Sequence, residues 1–174
     1  MKSNLSCAAP SRRRLLTLAA LGGGATLMGL PRAARAAGST EALLLTCMDY
    51  RLMDDVTRYM TGRGMADKYD QVVLAGASLG ALTEKQPAWG ETFWSHVKIA
   101  LDLHHIHRII VIDHRDCGAY KVFLGEAHLK DAASETATHA GYLRRLREAI
   151  SARHPKLETE LFLMALDGSV EAVA

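Results

Sequence analysis

Arg108-Ile109-Ile110-Val111-Ile112-Asp113-His114-Arg115-Asp116-Cys117-Gly118 is the stretch whose reading decides the fold. Its first half is a short continuous apolar run, the pattern of a strand buried on both faces. Its second half is polar and turns at a glycine. The pattern recurs upstream, where Glu41 to Asp49 begins Ala42-Leu43-Leu44-Leu45 and closes Thr46-Cys47-Met48-Asp49. Gln71 to Gly76 and Leu161 to Leu166 read as two further strands. Helical patterns fill the spaces between them. Residues 52–62 place Met53, Val56, Tyr59 and Met60 on one inner face. Residues 90–105 carry Trp94, Val97 and Leu101 at helical spacing. A short helix starts near Gly118. Residues 136–153 turn Leu143, Leu146 and Ile150 inward and Arg144, Arg145, Arg147 and Arg153 outward, and Pro155 ends that helix. Strands alternating with helices predict an α/β fold: a single domain with a mainly parallel sheet of about four strands, flanked by helices on both faces.

In such sheets ligands bind beyond the carboxyl ends of strands, near a switch point. Two strands end there in metal-ligand chemistry. His114 and Cys117 are three residues apart, so a tight turn can aim both at one point. Cys47 joins them only if its strand lies beside the strand from Arg108. Two thiolates and one imidazole suit zinc, and three protein ligands leave a fourth place open, the mark of a catalytic site. A thiol redox reading of Cys47 and Cys117 leaves His114, Asp49 and Arg51 unexplained, and no Cys-x-x-Cys pair supports it. His104, His105 and His107 cluster at a helix end, where cations are favoured for reasons unrelated to metal. His96, His128 and His139 are read as surface residues.

Cys47-Met48-Asp49-Tyr50-Arg51 resembles the Cys-x-Asp-x-Arg motif of β-carbonic anhydrases, and His114-Arg115-Asp116-Cys117-Gly118 resembles their His-x-x-Cys-Gly motif. Either motif alone is weak; both together, each after a buried strand, are specific. The similarity covers roughly residues 42–174. It implies a Zn2+ site held by Cys47, His114 and Cys117, and a zinc hydroxide that attacks carbon dioxide to give bicarbonate. It also implies that Asp49 accepts a hydrogen bond from the zinc-bound water or hydroxide, and that Arg51 pairs with Asp49 and keeps it off the metal. In some members the aspartate becomes the fourth ligand and closes the site. A homodimer or tetramer is implied, with active sites near the interface. Two departures bear on substrate. The Arg-Asn-Ala-Gly-Asn type segment of many members is Val73-Leu74-Ala75-Gly76-Ala77 here, and the position before the histidine, often glycine or histidine, is Asp113. A more apolar pocket favours carbonyl sulfide or carbon disulfide as an alternative substrate; a non-catalytic zinc-binding domain is the other alternative.

The chain has 174 residues, with 21 Lys and Arg against 19 Asp and Glu. Six of the basic residues and no acid lie in residues 1–36; removing them leaves 15 against 19, a balance of −4. The basic excess therefore belongs to the N-terminal segment and gives no reason to expect nucleic acid as a partner. That segment reads as a signal peptide. Arg12-Arg13-Arg14 precede an uncharged stretch containing Gly22-Gly23-Gly24, and Ala34-Arg35-Ala36 fits a cleavage pattern. The adjacent arginines and weak hydrophobicity resemble a twin-arginine signal. The expectation is a signal peptide over 1–36, a zinc domain over 37–174, export to the periplasm, and no stable membrane span after cleavage. Cleavage removes Cys7 and leaves only Cys47 and Cys117.

Overall fold

The computed structural model describes residues 38–174, apart from the side chains of His128 and Leu129. The signal-peptide reading of 1–36 lies outside the described residues, as does the side chain of His128. Five strands form one sheet: β1 (Ala42–Thr46), β2 (Tyr69–Val73), β3 (Arg108–His114), β4 (Glu158–Met164) and β5 (Val170–Ala172). Their order is β2-β1-β3-β4-β5. The first three pairings are parallel and β5 returns antiparallel to β4. The expected sheet of about four strands thus gains a short fifth, reached through the turn at Asp167-Gly168, where Gly168 has φ 82°. Three residues with little apolar character gave no periodic signal for it.

The helices are α1 (Met53–Gly62), α2 (Ser78–Leu82), α3 (Pro87–Ile99), α4 (Gly118–Leu124) and α5 (Ala132–Arg153). Among the described residues none is long and apolar enough to cross a membrane. Strand side chains alternate between the two faces of the sheet. Leu43, Leu45, Ile109, Val111 and Leu161 pack with Phe93 and Val97 of α3 and with Leu143, Leu146 and Ile150 of α5. Leu44, Ile110, Ile112 and Met164 take the other face, with Val56 and Met60 of α1. Burial on both faces is why β1 and β3 read as unbroken apolar runs. Ile110 is fully buried. Ile110→Ala is expected to cost about 2–5 kcal/mol, a cavity as well as a transfer penalty, measured as a lower midpoint in urea unfolding.

Several boundaries move. The strand from Gln71 starts two residues earlier and stops at Val73, because Leu74–Ala77 leave the sheet in a turn closed by the Ala77 N–H to the Leu74 carbonyl (2.9 Å). The fourth strand runs 158–164 rather than 161–166. Helix α5 starts four residues early, where Asp131 caps it by accepting from the Ser134 N–H (2.7 Å). The helix expected over 90–105 is α3 followed by a π-helical turn at Ala100–His104, and His105 ends it in the left-handed region. Met53, expected on the inner face of α1, is 46% exposed. His139, expected at the surface, is fully buried on α5.

Candidate metal centre

The chain runs from β1 outward to β2, then returns to add β3 on β1's other side. That reversal leaves a crevice between the carboxyl ends of β1 and β3. The register Thr46↔Ile112 brings Cys47, the next residue after β1, alongside the end of β3. Among the described residues, Cys47, His114 and Cys117 form a group whose ligand atoms all lie within 4.8 Å of one another. The two sulfurs are 3.9 Å apart and both cysteines are free. All three expected ligands therefore meet. No other described histidine side chain joins this group; His104 pairs instead with Asp70 across to β2 (2.6 Å).

Local backbone makes the convergence possible. Asp116, between His114 and Cys117, has φ 54°, a left-handed conformation that aspartate tolerates better than most residues. It tightens the turn so that two side chains three residues apart point one way. Gly76 has φ 77° and donates its N–H to the Cys47 Sγ (3.3 Å). A Cβ there would meet Ala119 Cβ and Leu79 Cδ2, each at 3.2 Å, so glycine suits both the turn and the close approach.

The donor set fits a zinc ion. His114 is 3% exposed, and its Nδ1 lies 2.8 Å from the Arg115 carbonyl. A carbonyl only accepts, so Nδ1 carries the proton and Nε2 offers its lone pair. That Nε2 is buried without a hydrogen-bond partner. A metal would satisfy it, and the hydrogen bond at Nδ1 is the usual way a ligating histidine is oriented. The Cys47 thiol is drawn down to about 4, first by the hydrogen bond from Cys117, then by His114 and the Gly76 N–H, against the opposing effect of burial. Cys117 moves up, because it donates to Cys47 and is buried. His114 is raised: burial works against its charged form, and the Cys47 sulfur, the Arg115 carbonyl and the Asp49 carboxylate that face it outweigh that effect. A thiolate facing an imidazole, with a second thiol alongside, is a site whose protons a divalent metal would replace.

Asp49 and Arg51 stand beside this group. Arg51 donates from Nε to Asp49 Oδ1 (3.0 Å), from Nη2 to Oδ2 (2.7 Å) and from its backbone N–H to Oδ1 (3.0 Å). These bonds hold the Asp49 carboxyl down at about 2. Asp49 Oδ2 is 3.8 Å from His114 Nε2. Arg51 reaches across to Asp116 as well, donating to its Oδ2 (2.9 Å) and to its carbonyl (3.1 Å). The clamp thus joins the loop after β1 to the turn after β3. Asp116 was missed as a site residue; its place between two candidate ligands was the available signal. Glu135 on α5 was missed too. It accepts from the Asp116 N–H (2.6 Å) and pairs with Arg115 (3.3 Å), and nothing local in its helix marks it.

A cleft of about 600 Å³ opens over the centre, lined by Cys47, Asp49, Arg51, Ala75, Cys117 and Phe123. A second void of about 10 Å³ lies beside Asp49 and His114, the lower limit for one water.

The family described as "Putative carbonic anhydrase" matches residues 37–147, more than half of the sequence. The chain belongs to this family. Two relatives of the chain are uncharacterized proteins of Rickettsia conorii and Rickettsia bellii. Each is 41% identical over 133 residues, 76% of this chain, and the match spans 72% and 81% of the respective relative. The fold is similar to β-carbonic anhydrase isoform I of Trichomonas vaginalis, with TM-score 0.52 and 15% identity, over 94% of this chain and 98% of that one. It is also similar to the β-carbonic anhydrase CafA of Aspergillus fumigatus, with TM-score 0.50 and 13% identity, over 92% and 86%. At these identities the likeness establishes the β-carbonic anhydrase fold and no more.

Proposed function

We propose that this chain is a zinc-dependent carbonic anhydrase that interconverts carbon dioxide and bicarbonate, with Cys47, His114 and Cys117 holding the metal. The observation that carries the reading is the buried, unpartnered Nε2 of His114, 3.8 Å from the clamped Asp49 carboxylate, in a group whose imidazole nitrogen and two cysteine sulfurs lie within 4.8 Å of one another. When bound, zinc supplies Lewis acidity that brings the pKa of water to about 7 in a favourable site. Two thiolates offset most of the metal's charge, so a second group that orients the water matters more than with neutral ligands. Asp49 would be that group: its Oδ2, 3.8 Å from His114 Nε2, is placed to accept a hydrogen bond from a water held at the site. Arg51 holds both carboxylate oxygens, so Asp49 stays ionised and stays in place.

The same reading includes a dimer or tetramer and export to the periplasm. Met48, Tyr50 and Val122 support the first, being 64%, 86% and 79% exposed around the cleft. The basic, glycine-containing N-terminal segment supports the second. A second substrate class is favoured by one observation: Val73, Leu74 and Ala77, flanking the retained Ala75-Gly76, stand where many β-carbonic anhydrases carry polar residues, which suits carbonyl sulfide.

Stopped-flow hydration of carbon dioxide by the full chain, zinc-loaded and then stripped by chelation, tests the proposal. Rapid hydration that disappears with the metal and returns with it is expected. One bound zinc per chain with no hydration overturns the assignment, and carbonyl sulfide hydrolysis is then the assay that separates the sulfur hydrolase from a binding domain.

A further inference from the structure

Asp113 is 1% exposed, directly before His114, at a position that is often glycine or histidine in the proteins it resembles. A buried carboxylate is costly unless its oxygens are satisfied. Here they are. Oδ1 accepts from the Ser78 backbone N–H (3.0 Å), and Oδ2 accepts from the Ser78 hydroxyl (2.7 Å) and the Tyr120 hydroxyl (2.7 Å). His139 Nδ1 lies 3.0 Å from the same Oδ2. A carboxylate only accepts, so His139 donates from Nδ1. Ser78 and His139 are both fully buried, and the His139 ring lies against Tyr120 with centroids 3.9 Å apart. His139, expected at the surface, is therefore built into the protein's interior as a partner of Asp113.

The four donors come from three segments, and each segment leads to the metal centre. Ser78 begins α2 two residues after Gly76, whose N–H touches the Cys47 sulfur. Tyr120 sits in the first turn of α4, three residues after Cys117, and packs with it and Leu79 in one buried cluster. His139 sits on α5 one turn beyond Glu135, which holds the Asp116 N–H. Asp113 itself fixes the end of β3 that carries His114. One carboxylate thus ties the segments behind all three candidate ligands.

We propose that Asp113 is a positioning residue for the metal centre, holding the Cys47, His114 and Cys117 segments in register through Ser78, Tyr120 and His139 and so setting metal affinity and geometry. The inference rests on the zinc reading above. A purely structural role for the network would cost stability and leave the metal's environment alone.

The test measures zinc affinity by competition with a chromophoric chelator, and the visible spectrum after cobalt substitution, on full-length protein. Asp113→Asn keeps the shape and the Ser78 N–H acceptor but turns an NH2 toward three donors. Its zinc dissociation constant is expected to rise by about 10-fold, the lower end of the effect of losing a group bonded directly to a ligand, because Asp113 acts through Ser78, Tyr120 and His139, with a shifted cobalt band. Tyr120→Phe removes one donor and is expected to give a smaller shift in the same direction. If Asp113→Asn does not fold, Tyr120→Phe combined with Ser78→Ala decides by the same two readouts. Unchanged affinity and an unchanged cobalt spectrum in a folded variant overturn the inference. A parent chain that binds no zinc overturns the zinc reading and this inference with it, so the two failures are told apart by the parent alone.

Discussion

Cys47→Ser is expected to weaken zinc binding by about 10²–10³-fold and to take carbon dioxide hydration down at least as far, while the fold stays in place. The magnitude follows from ligand counting. A full four-ligand structural zinc site contributes about 10–16 kcal/mol, so one thiolate accounts for roughly 3–4 kcal/mol, and each 1.4 kcal/mol is tenfold. The fold survives because neither main core cluster depends on the metal: the sheet is packed by aliphatic side chains from α1 on one face and α3 and α5 on the other. Cys47 is only partly buried, and serine can reach water there. Far-UV circular dichroism and the urea midpoint should stay near the parent's while chelator competition shows the loss. Cys117→Ser should lose zinc and stability together, since Cys117 is 1% exposed and packs with Leu79 and Tyr120. Undiminished zinc affinity in Cys47→Ser would remove Cys47 from the ligand set and leave two ligands, too few for the proposed site.

What could be read from sequence divides along physical lines. The runs Ala42–Leu45 and Ile109–Ile112 are strongly apolar because both faces of their strands are covered, so the central pair of the sheet was legible, and so was the crevice at its end. The two ligand motifs were legible because three chemically distinctive side chains fall just past those strands. Glu158-Thr159-Glu160 lacks that signal. It joins β4 through ladder bonds to β3, and Glu160 is held by Arg63 and by Arg108 (3.0 Å), contacts that connect distant parts of the chain. His139 was misread for a related reason. Its spacing, one turn before Leu143 and two before Leu146, puts it on the inward stripe of the helix, but an imidazole with no partner visible in the sequence reads as a surface group. Only Asp113, on a strand 26 residues earlier, gives it a reason to be inside. The short α2 was invisible because Ser78–Leu82 is a single turn held by Gly80, where a Cβ would come within 2.5 Å of the Ala75 carbonyl oxygen.

Arg51→Ala should separate metal binding from catalysis. Zinc affinity should hold or rise, since none of the three ligands is touched and a freed Asp49 carboxylate is itself a possible ligand. Carbon dioxide hydration should fall by about 10²-fold, within the range for losing a group that orients a catalytic one. The loss is one of position. Asp49 is held at about 2 chiefly by its hydrogen bonds to Arg51, and without them it returns toward the ordinary carboxylate value of about 4. Either way it is ionised at pH 7, so raising the pH should not rescue the variant. Arg51→Lys should recover only part of the activity, because one ammonium cannot make the paired bonds to Oδ1 and Oδ2 and also reach Asp116. The same pair predicts an acid signature. Because Asp49's folded pKa lies below its unfolded one, its stabilising effect is complete above about pH 4 and is lost as pH falls from there toward 2. Acid unfolding of Arg51→Ala should therefore show a shallower loss across that window than the parent. Full hydration activity in Arg51→Ala would mean that Asp49 needs no clamp, and that the Asp–Arg pair is a surface ion pair of little consequence.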